Sequence, residues 1–154
     1  MKFSHPLMQS NFTKSDIIAA TKILRKKNII LTQSKQVKEF EQKWSKWLGV
    51  KYTVFVNSGS SANFLTMAAL KLLYGKGEII VPTLTWVSDI VSVIQNNFKP
   101  VFVDINPKNL CMSESQIIKK VNNKTLAVFM THVQGFNGLS DKLISFLKKR
   151  KVLL

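Results

Sequence analysis

An α/β fold is predicted for this chain, with a parallel-rich sheet covered by helices and preceded by two further helices, and three observations predict it. Beyond about residue 50, short apolar runs alternate with helical patterns across brief joints, as in repeated βα units. The runs Ile79-Ile80-Val81, Val101-Phe102-Val103 and Leu126-Ala127-Val128-Phe129-Met130 are continuous rather than alternating, as expected of strands buried on both faces. Before residue 50 the chain shows helical periodicity and no convincing strand. We therefore divide it into an N-terminal helical segment, 1–50, and an α/β part, 51–154.

The elements follow in order. Thr13 with Asp16 opens the first helix, whose apolar positions include Ile17, Ile18 and Leu24. The second helix places Val37, Phe40, Trp44, Trp47 and Leu48 on one face, so it should pack firmly against something, and Gly49 ends it as a C-cap. Strands are expected at 52–57, 78–82, 100–104, 125–132 and 151–154, with helices at 60–73, 86–97, 114–121 and 140–150. Ser113 with Gln116 has the capping-box pattern, and Ser140 precedes the periodic Leu143, Ile144 and Leu147. No repeat, low-complexity tract or Pro/Gly-rich linker interrupts the chain. Its last residues, Lys151-Val152-Leu153-Leu154, read as the opening of a strand with nothing after it, and the expectation is a truncated chain.

A length of 154 residues with 45% hydrophobic content accommodates one buried core and one globular unit. No stretch has the 18 or more apolar residues of a membrane span, and Met1 to Pro6 lacks the apolar core of a signal peptide, so the reading is cytoplasmic, without a membrane partner. A single cysteine, Cys111, forms no internal disulfide, and His5 and His132 lie far apart with no metal-ligand pattern, so no metal is assigned. The net charge of +15 invites a polyanion partner, but the basic residues are spread along the chain. Their longest runs, Arg25-Lys26-Lys27 and Lys148-Lys149-Arg150-Lys151, fall at expected helix C-termini, where cations complement the dipole. Only Arg25 and Arg150 among the 23 basic residues are arginine, whereas phosphate recognition favours the arginine fork, and the reading is no nucleic acid.

In a parallel sheet the loops after the strands gather on one edge. Four segments should converge there: Asn57 to Ala62, Pro82 to Trp86, Asp104 to Asn106, and His132 to Gly135. The first is a phosphate cradle in outline, because a strand breaking on small hydroxyl residues into a helix aims backbone N–H groups at one spot with the positive end of the dipole behind them. An ordinary βα turn with a Ser cap accounts for the same residues. Trp86 suits stacking on a planar ring, or else a core position on the stripe of Val87, Ile90, Val91 and Ile94. His132 is a site residue or a core histidine bonded to a carbonyl, Asp104 braces the turn before Asn106-Pro107, and Gln134-Gly135 is site or loop chemistry. A planar, phosphorylated cofactor fits the set.

Three ordered motifs, Val56-Asn57-Ser58-Gly59-Ser60-Ser61-Ala62-Asn63, Glu78-Ile79-Ile80-Val81-Pro82-Thr83-Leu84-Thr85-Trp86 and Pro100-Val101-Phe102-Val103-Asp104-Ile105-Asn106, together resemble the DegT/DnrJ/StrS family. The second helix, followed by Gly49-Val50-Lys51-Tyr52, resembles it too, so the likeness runs over about residues 10–154. The resemblance implies a fold type I enzyme dependent on pyridoxal 5′-phosphate or pyridoxamine 5′-phosphate, homodimeric and acting on nucleotide-linked keto-sugars, with 51–154 as part of its large cofactor domain. It implies that Ser58, Gly59, Ser60 and Ser61 hold the cofactor phosphate, that Trp86 stacks on the ring, and that His132 and Gln134 approach it. The family's acidic partner for the pyridine nitrogen, and its lysine or the histidine that replaces it, match no residue here, so no catalytic residue is named and the fragment alone is expected to be inactive.

Two chemistries compete within the family: amination of a keto-sugar, which most members perform, and removal of the C3 hydroxyl from a 4-keto-6-deoxy sugar. Ser58 to Asn63 and Thr131-His132-Val133-Gln134-Gly135 lean toward the second, while Ser34-Lys35 departs from the Gly-Pro-like pair common before the second helix. From other classes, the rivals are a basic RNA-binding α/β module and a gene remnant that folds poorly.

Overall fold

The computed structural model describes residues 9–154, so that Met1 to Pro6, and His5 with them, lie outside the described residues. The chain forms two compact units that meet in sequence between Phe55 and Val56.

The first unit holds α1 (Lys14–Leu24) and α2 (Lys35–Leu48). The Thr13 and Asp16 capping box forms: Asp16 N–H donates to Thr13 Oγ1 at 3.3 Å, and Thr13 N–H to Asp16 Oδ2 at 2.8 Å. Gly49 closes α2 in the left-handed region at φ 75°, which a side chain would disfavour. The aromatic face of α2 packs mainly on itself and its neighbour segment. Phe40 stacks on Trp44 with ring centroids 5.7 Å apart, Trp44 lies 5.0 Å from Trp47, and Phe55 meets Phe40 edge-on at 5.5 Å. No residue of either helix is buried, so the firm packing expected of α2 is not realised.

The strand expected at 52–57 is not formed, because it finds no partner strand among the described residues. A strand's N–H and C=O groups need a neighbour. Here the Phe55 N–H donates instead to Glu41 Oε1 at 2.8 Å, and the Thr53 hydroxyl accepts from Ser45 at 2.8 Å.

The second unit runs α3 (Gly59–Tyr74), β1 (Glu78–Pro82), α4 (Val87–Gln95), β2 (Lys99–Val103), α5 (Glu114–Lys120), β3 (Thr125–Val128) and α6 (Asp141–Arg150). Its strands make one parallel sheet in the order β2-β1-β3, with Ile80 opposite Val101 on one side and Val128 on the other. The predicted α/β class with a helix-covered parallel sheet is thus observed. Central β1 is buried throughout, and its pleat splits the core. Ile79 and Val81 enter a cluster with Met67, Val93 and Phe98 beneath α3 and α4. Ile80 enters another with Val103, Ile117, Leu143 and Leu147 beneath α5 and α6.

Four expectations change in detail. β2 is an edge strand with Phe102 41% exposed, so its apolar run is not buried on both faces. β3 stops at Val128 rather than 132: Phe129 still donates to the Ile80 carbonyl at 2.8 Å, after which the chain leaves the sheet. At 151–154 only Leu153 pairs, as an isolated parallel bridge to Ala127. Ser113 makes no side-chain cap, because Gln116 Oε1 instead accepts the Asp104 N–H at 2.9 Å, whereas Ser140 does cap α6, accepting from Leu143 N–H at 3.0 Å.

Candidate functional site

Strands β1 and β3 are neighbours, yet the loop after β1 leads to α4 on one face of the sheet and the loop after β3 leads to α6 on the other. Two adjacent loops diverging in this way mark the topological switch point at the carboxyl edge, the usual ligand position in open α/β sheets. The two loops touch where the Thr85 and Thr131 hydroxyls lie 2.7 Å apart. Trp86 follows Thr85, and His132 follows Thr131.

Near this edge α3 begins. Ser58 is its N-cap: Ser61 N–H donates to Ser58 Oγ at 3.1 Å, Ala62 N–H donates to the Ser58 carbonyl at 3.1 Å, and Ser61 Oγ donates to Asn57 Oδ1 at 2.7 Å. Among the described residues no acceptor takes the N–H of Gly59 or Ser60, and the first turn contains no acidic residue. A Cβ added at Gly59 would meet nothing within 4 Å, so the turn has open space on that side. The cradle's hydrogen-bonding outline is therefore present, with Ser58 and Ser61 shaping the turn and Gly59 and Ser60 offering free donors. A groove of about 500 Å³ beside it is lined by Asn57, Ser60, Ser61, Phe64 and Gln95, and reaches neither Trp86 nor His132.

Trp86 is the N-cap residue of α4 and 74% exposed, which excludes the core alternative. Helix α4 buries Asp89, Ser92 and Val93, and its C-cap Asn96 is buried too, whereas of the apolar stripe on which that alternative rested Val87, Val91 and Ile94 are exposed and only Ile90 packs partly on the core. His132 is exposed too, and its ring is fixed within its own loop, where Nδ1 accepts from the Gly138 N–H at 3.2 Å. Gln134 occupies the left-handed region at φ 54° inside the short 3₁₀ turn Val133–Gly135, and is exposed. Asp104 braces its turn as expected, accepting from the Ile105 N–H at 2.8 Å. The structure joins the loops carrying Trp86 and His132 through their threonines and gives no direct contact between the candidate side chains.

Sequence reasoning missed Asp89. Its carboxylate is buried behind the Thr85–Thr131 contact and accepts from Asn63 Nδ2 at 2.6 Å. The signal was available: Asp89, Ser92 and Asn96 recur at helical spacing and mark a buried polar face opposite the apolar stripe.

A parallel sheet covered by helices on both faces, with its switch point between β1 and β3, defines an α/β protein of the doubly wound kind. The profile of the DegT/DnrJ/EryC1/StrS aminotransferase family matches residues 11–151, and the chain belongs to that family. It is 34% identical to GDP-perosamine synthase from Vibrio cholerae over 69% of this chain and 29% of that protein. It is 30% identical to GDP-4-keto-6-deoxy-D-mannose 3-dehydratase from Escherichia coli O55:H7 over 98% of this chain and 40% of that protein. The solved E. coli GDP-4-keto-6-deoxy-D-mannose-3-dehydratase with bound hydrated PLP superposes with a TM-score of 0.86 at 30% identity, covering 97% of this chain and 40% of that one. The chain thus spans between 29% and 40% of the length of these relatives. Among the described residues no helix is long and apolar enough to cross a membrane.

Proposed function

We propose that this chain is the N-terminal, cofactor-holding part of a cytoplasmic, homodimeric pyridoxal-phosphate enzyme that aminates a nucleotide-linked keto-sugar. The observation that carries the reading is the N-terminus of α3 with its unpartnered donors, tied through Asn63 and Asp89 to the loops that diverge at the β1/β3 edge. Family membership supports it, as do relatives whose names describe GDP-sugar enzymes.

The free N–H groups of Gly59 and Ser60, with the Ser60 and Ser61 hydroxyls, would hold the phosphate at the positive end of α3. Trp86 would cover one face of the ring, and His132 and Gln134 would border it from the loop after β3. When bound, the cofactor supplies an electron sink for negative charge at the substrate carbon. The residues of this chain bind and orient; none of its lysines stands at the family's reactive position, so the 154-residue chain is expected to show no turnover.

A second reading, 3-dehydration of a 4-keto-6-deoxy sugar, is favoured by one observation. The 3-dehydratases align over 97% and 98% of this chain, the perosamine synthases over 69% and 81%. Reading the coding DNA past the Leu154 codon separates the two: a downstream lysine at the reactive position means amination, a histidine means dehydration, and an immediate stop codon counts against both. Cofactor holding is tested directly by titrating the chain with pyridoxal 5′-phosphate. A cofactor absorbance band that Trp86→Ala weakens is expected; no band would overturn the proposal, and anion binding that fades steeply with salt alone would favour the polyanion module.

A further inference from the structure

Helix α4 buries the polar Asp89 and Ser92 beside Val93, and Asp89 is the centre of a polar cluster. Asp89 is 9% exposed, and both of its carboxylate oxygens are engaged inside the protein. Oδ1 accepts from Asn63 Nδ2 at 2.6 Å, while Oδ2 accepts from the Thr131 hydroxyl at 3.0 Å and, in a short contact, from the Thr85 hydroxyl. A buried carboxylate must have its hydrogen bonds satisfied, and an apolar residue here would avoid the demand.

The partners are placed with a common consequence. Asn63 lies in α3, two residues beyond Ser61; Thr85 immediately precedes Trp86; Thr131 immediately precedes His132. Two of the bonds join residues 26 and 42 positions apart in sequence, so they cannot be a local helix cap. One carboxylate therefore ties together the three segments that carry every candidate site residue, Ser58 to Ser61, Trp86, and His132 with Gln134. Its charge also sits in the first turn of α4, where the helix dipole favours it.

We propose that Asp89 is a positioning residue that locks the phosphate cradle, the Trp86 loop and the His132 loop into one arrangement, so that a ligand seated on the cradle is aligned with the other two. It touches no ligand itself. As a statement about ligand alignment the proposal rests on the cofactor reading above; as a statement about coupled loops it does not. Removing the carboxylate takes away the acceptor shared by one amide and two hydroxyls, leaving Thr85 and Thr131 only each other and Asn63 only a 3.4 Å contact to Ser88, so the loops should loosen as a group.

Amide hydrogen exchange on the purified chain tests the coupling. Asp89→Ala should speed exchange about tenfold or more at the bonded amides of Ser61, Ala62, Thr83 and Gly135 together, the size expected when charged hydrogen bonds are lost, while Ile79 to Val81 and Leu143 to Leu147 keep their protection. Asp89→Asn, which keeps the shape and one acceptor oxygen and can donate to both hydroxyls, should restore most of that protection. Thr131→Val, which removes one hydroxyl, should loosen 57–63 as well as 131–135. Uniform acceleration through the sheet, or loosening confined to the first turn of α4, would overturn the proposal. Where Asp89→Ala does not fold, Asp89→Asn and Thr131→Val decide it alone. In a second arm, Asp89→Ala should weaken pyridoxal 5′-phosphate binding, followed by tryptophan emission, about tenfold, and inorganic phosphate binding, which feels only the loosened cradle and not the misaligned loops, by a clearly smaller factor. Equal losses for both probes would overturn the alignment role. Failure of the wild-type chain to bind pyridoxal 5′-phosphate would sink the cofactor reading, with the exchange result still deciding the coupling.

Discussion

Helices α2 and α6 have similarly amphipathic sequences and opposite fates. In α6, Leu143 and Leu147 are completely or almost completely buried beneath the sheet, at 0% and 1% exposure. In α2, Phe40, Trp44, Trp47 and Leu48 all remain exposed, and the rings contact chiefly one another and Phe55. Apolar periodicity states which face of a helix seeks burial; whether the face is covered depends on a sheet with strands to spare. The second unit has such a sheet. The first has two helices and a segment, 52–57, that finds no strand to pair with.

The largest effect should separate the two faces directly. Leu147→Ala removes a fully packed side chain and should cost about 2–5 kcal/mol in urea unfolding, against less than about 0.5 kcal/mol for Trp47→Ala, which is 74% exposed. Equal costs would mean that α2 is covered in solution. Next in size is Gly138→Ala. An added Cβ would lie 2.9 Å from Cys111 Cβ and 3.1 Å from Met130 Sδ, an overpacking expected to lower stability by about 1–3 kcal/mol, while Gly59→Ala, facing open space, should unfold close to wild type.

The caps sharpen the comparison further. Ser140 donates to Glu114 and caps α6, so Ser140→Ala should cost about 1 kcal/mol, whereas Ser34, which makes no cap bond at α2, should cost a few tenths at most when replaced. Thermal unfolding of the two variants checks this. The smallest effect is pH-dependent. Bonds from Asn122 first, then Lys99, hold the Glu78 carboxyl below the usual glutamate range. A folded-state value lowered in this way adds stability above about pH 4.3 that is lost as pH falls below it. The stability difference between wild type and Glu78→Gln should therefore shrink toward zero on acidification; a constant difference would show that the ionised form contributes nothing.

Much of the fold was legible because each element carried its own local signal. The continuous run Ile79 to Val81 marked the central strand, and Thr13, Ser140 and Gly49 marked helix ends that the structure confirms. Ser113 failed as a capping-box residue because Gln116 found a longer-range partner in Asp104. The failures at 52–57 and at α4 share a cause. A strand is completed by another segment, and a helix face is chosen by what packs on it, and neither is written in the segment itself. The cradle at Ser58 was visible as a motif, while Asp89 looked like one polar residue in an apolar helix.

By itself the sequence determined the α/β class, the order of α3 to α6 with β1 to β3 and the Ser58 to Ser61 turn, since these rest on periodicity and capping chemistry within short stretches, and three of its motifs carried the resemblance to the family. Only the tertiary structure decided that β2 lies at an edge, that Trp86 stands outside the core, and that Asn63, Thr85 and Thr131 meet on Asp89. Those outcomes depend on which distant segments are brought together, and that is settled by the packing of the whole sheet.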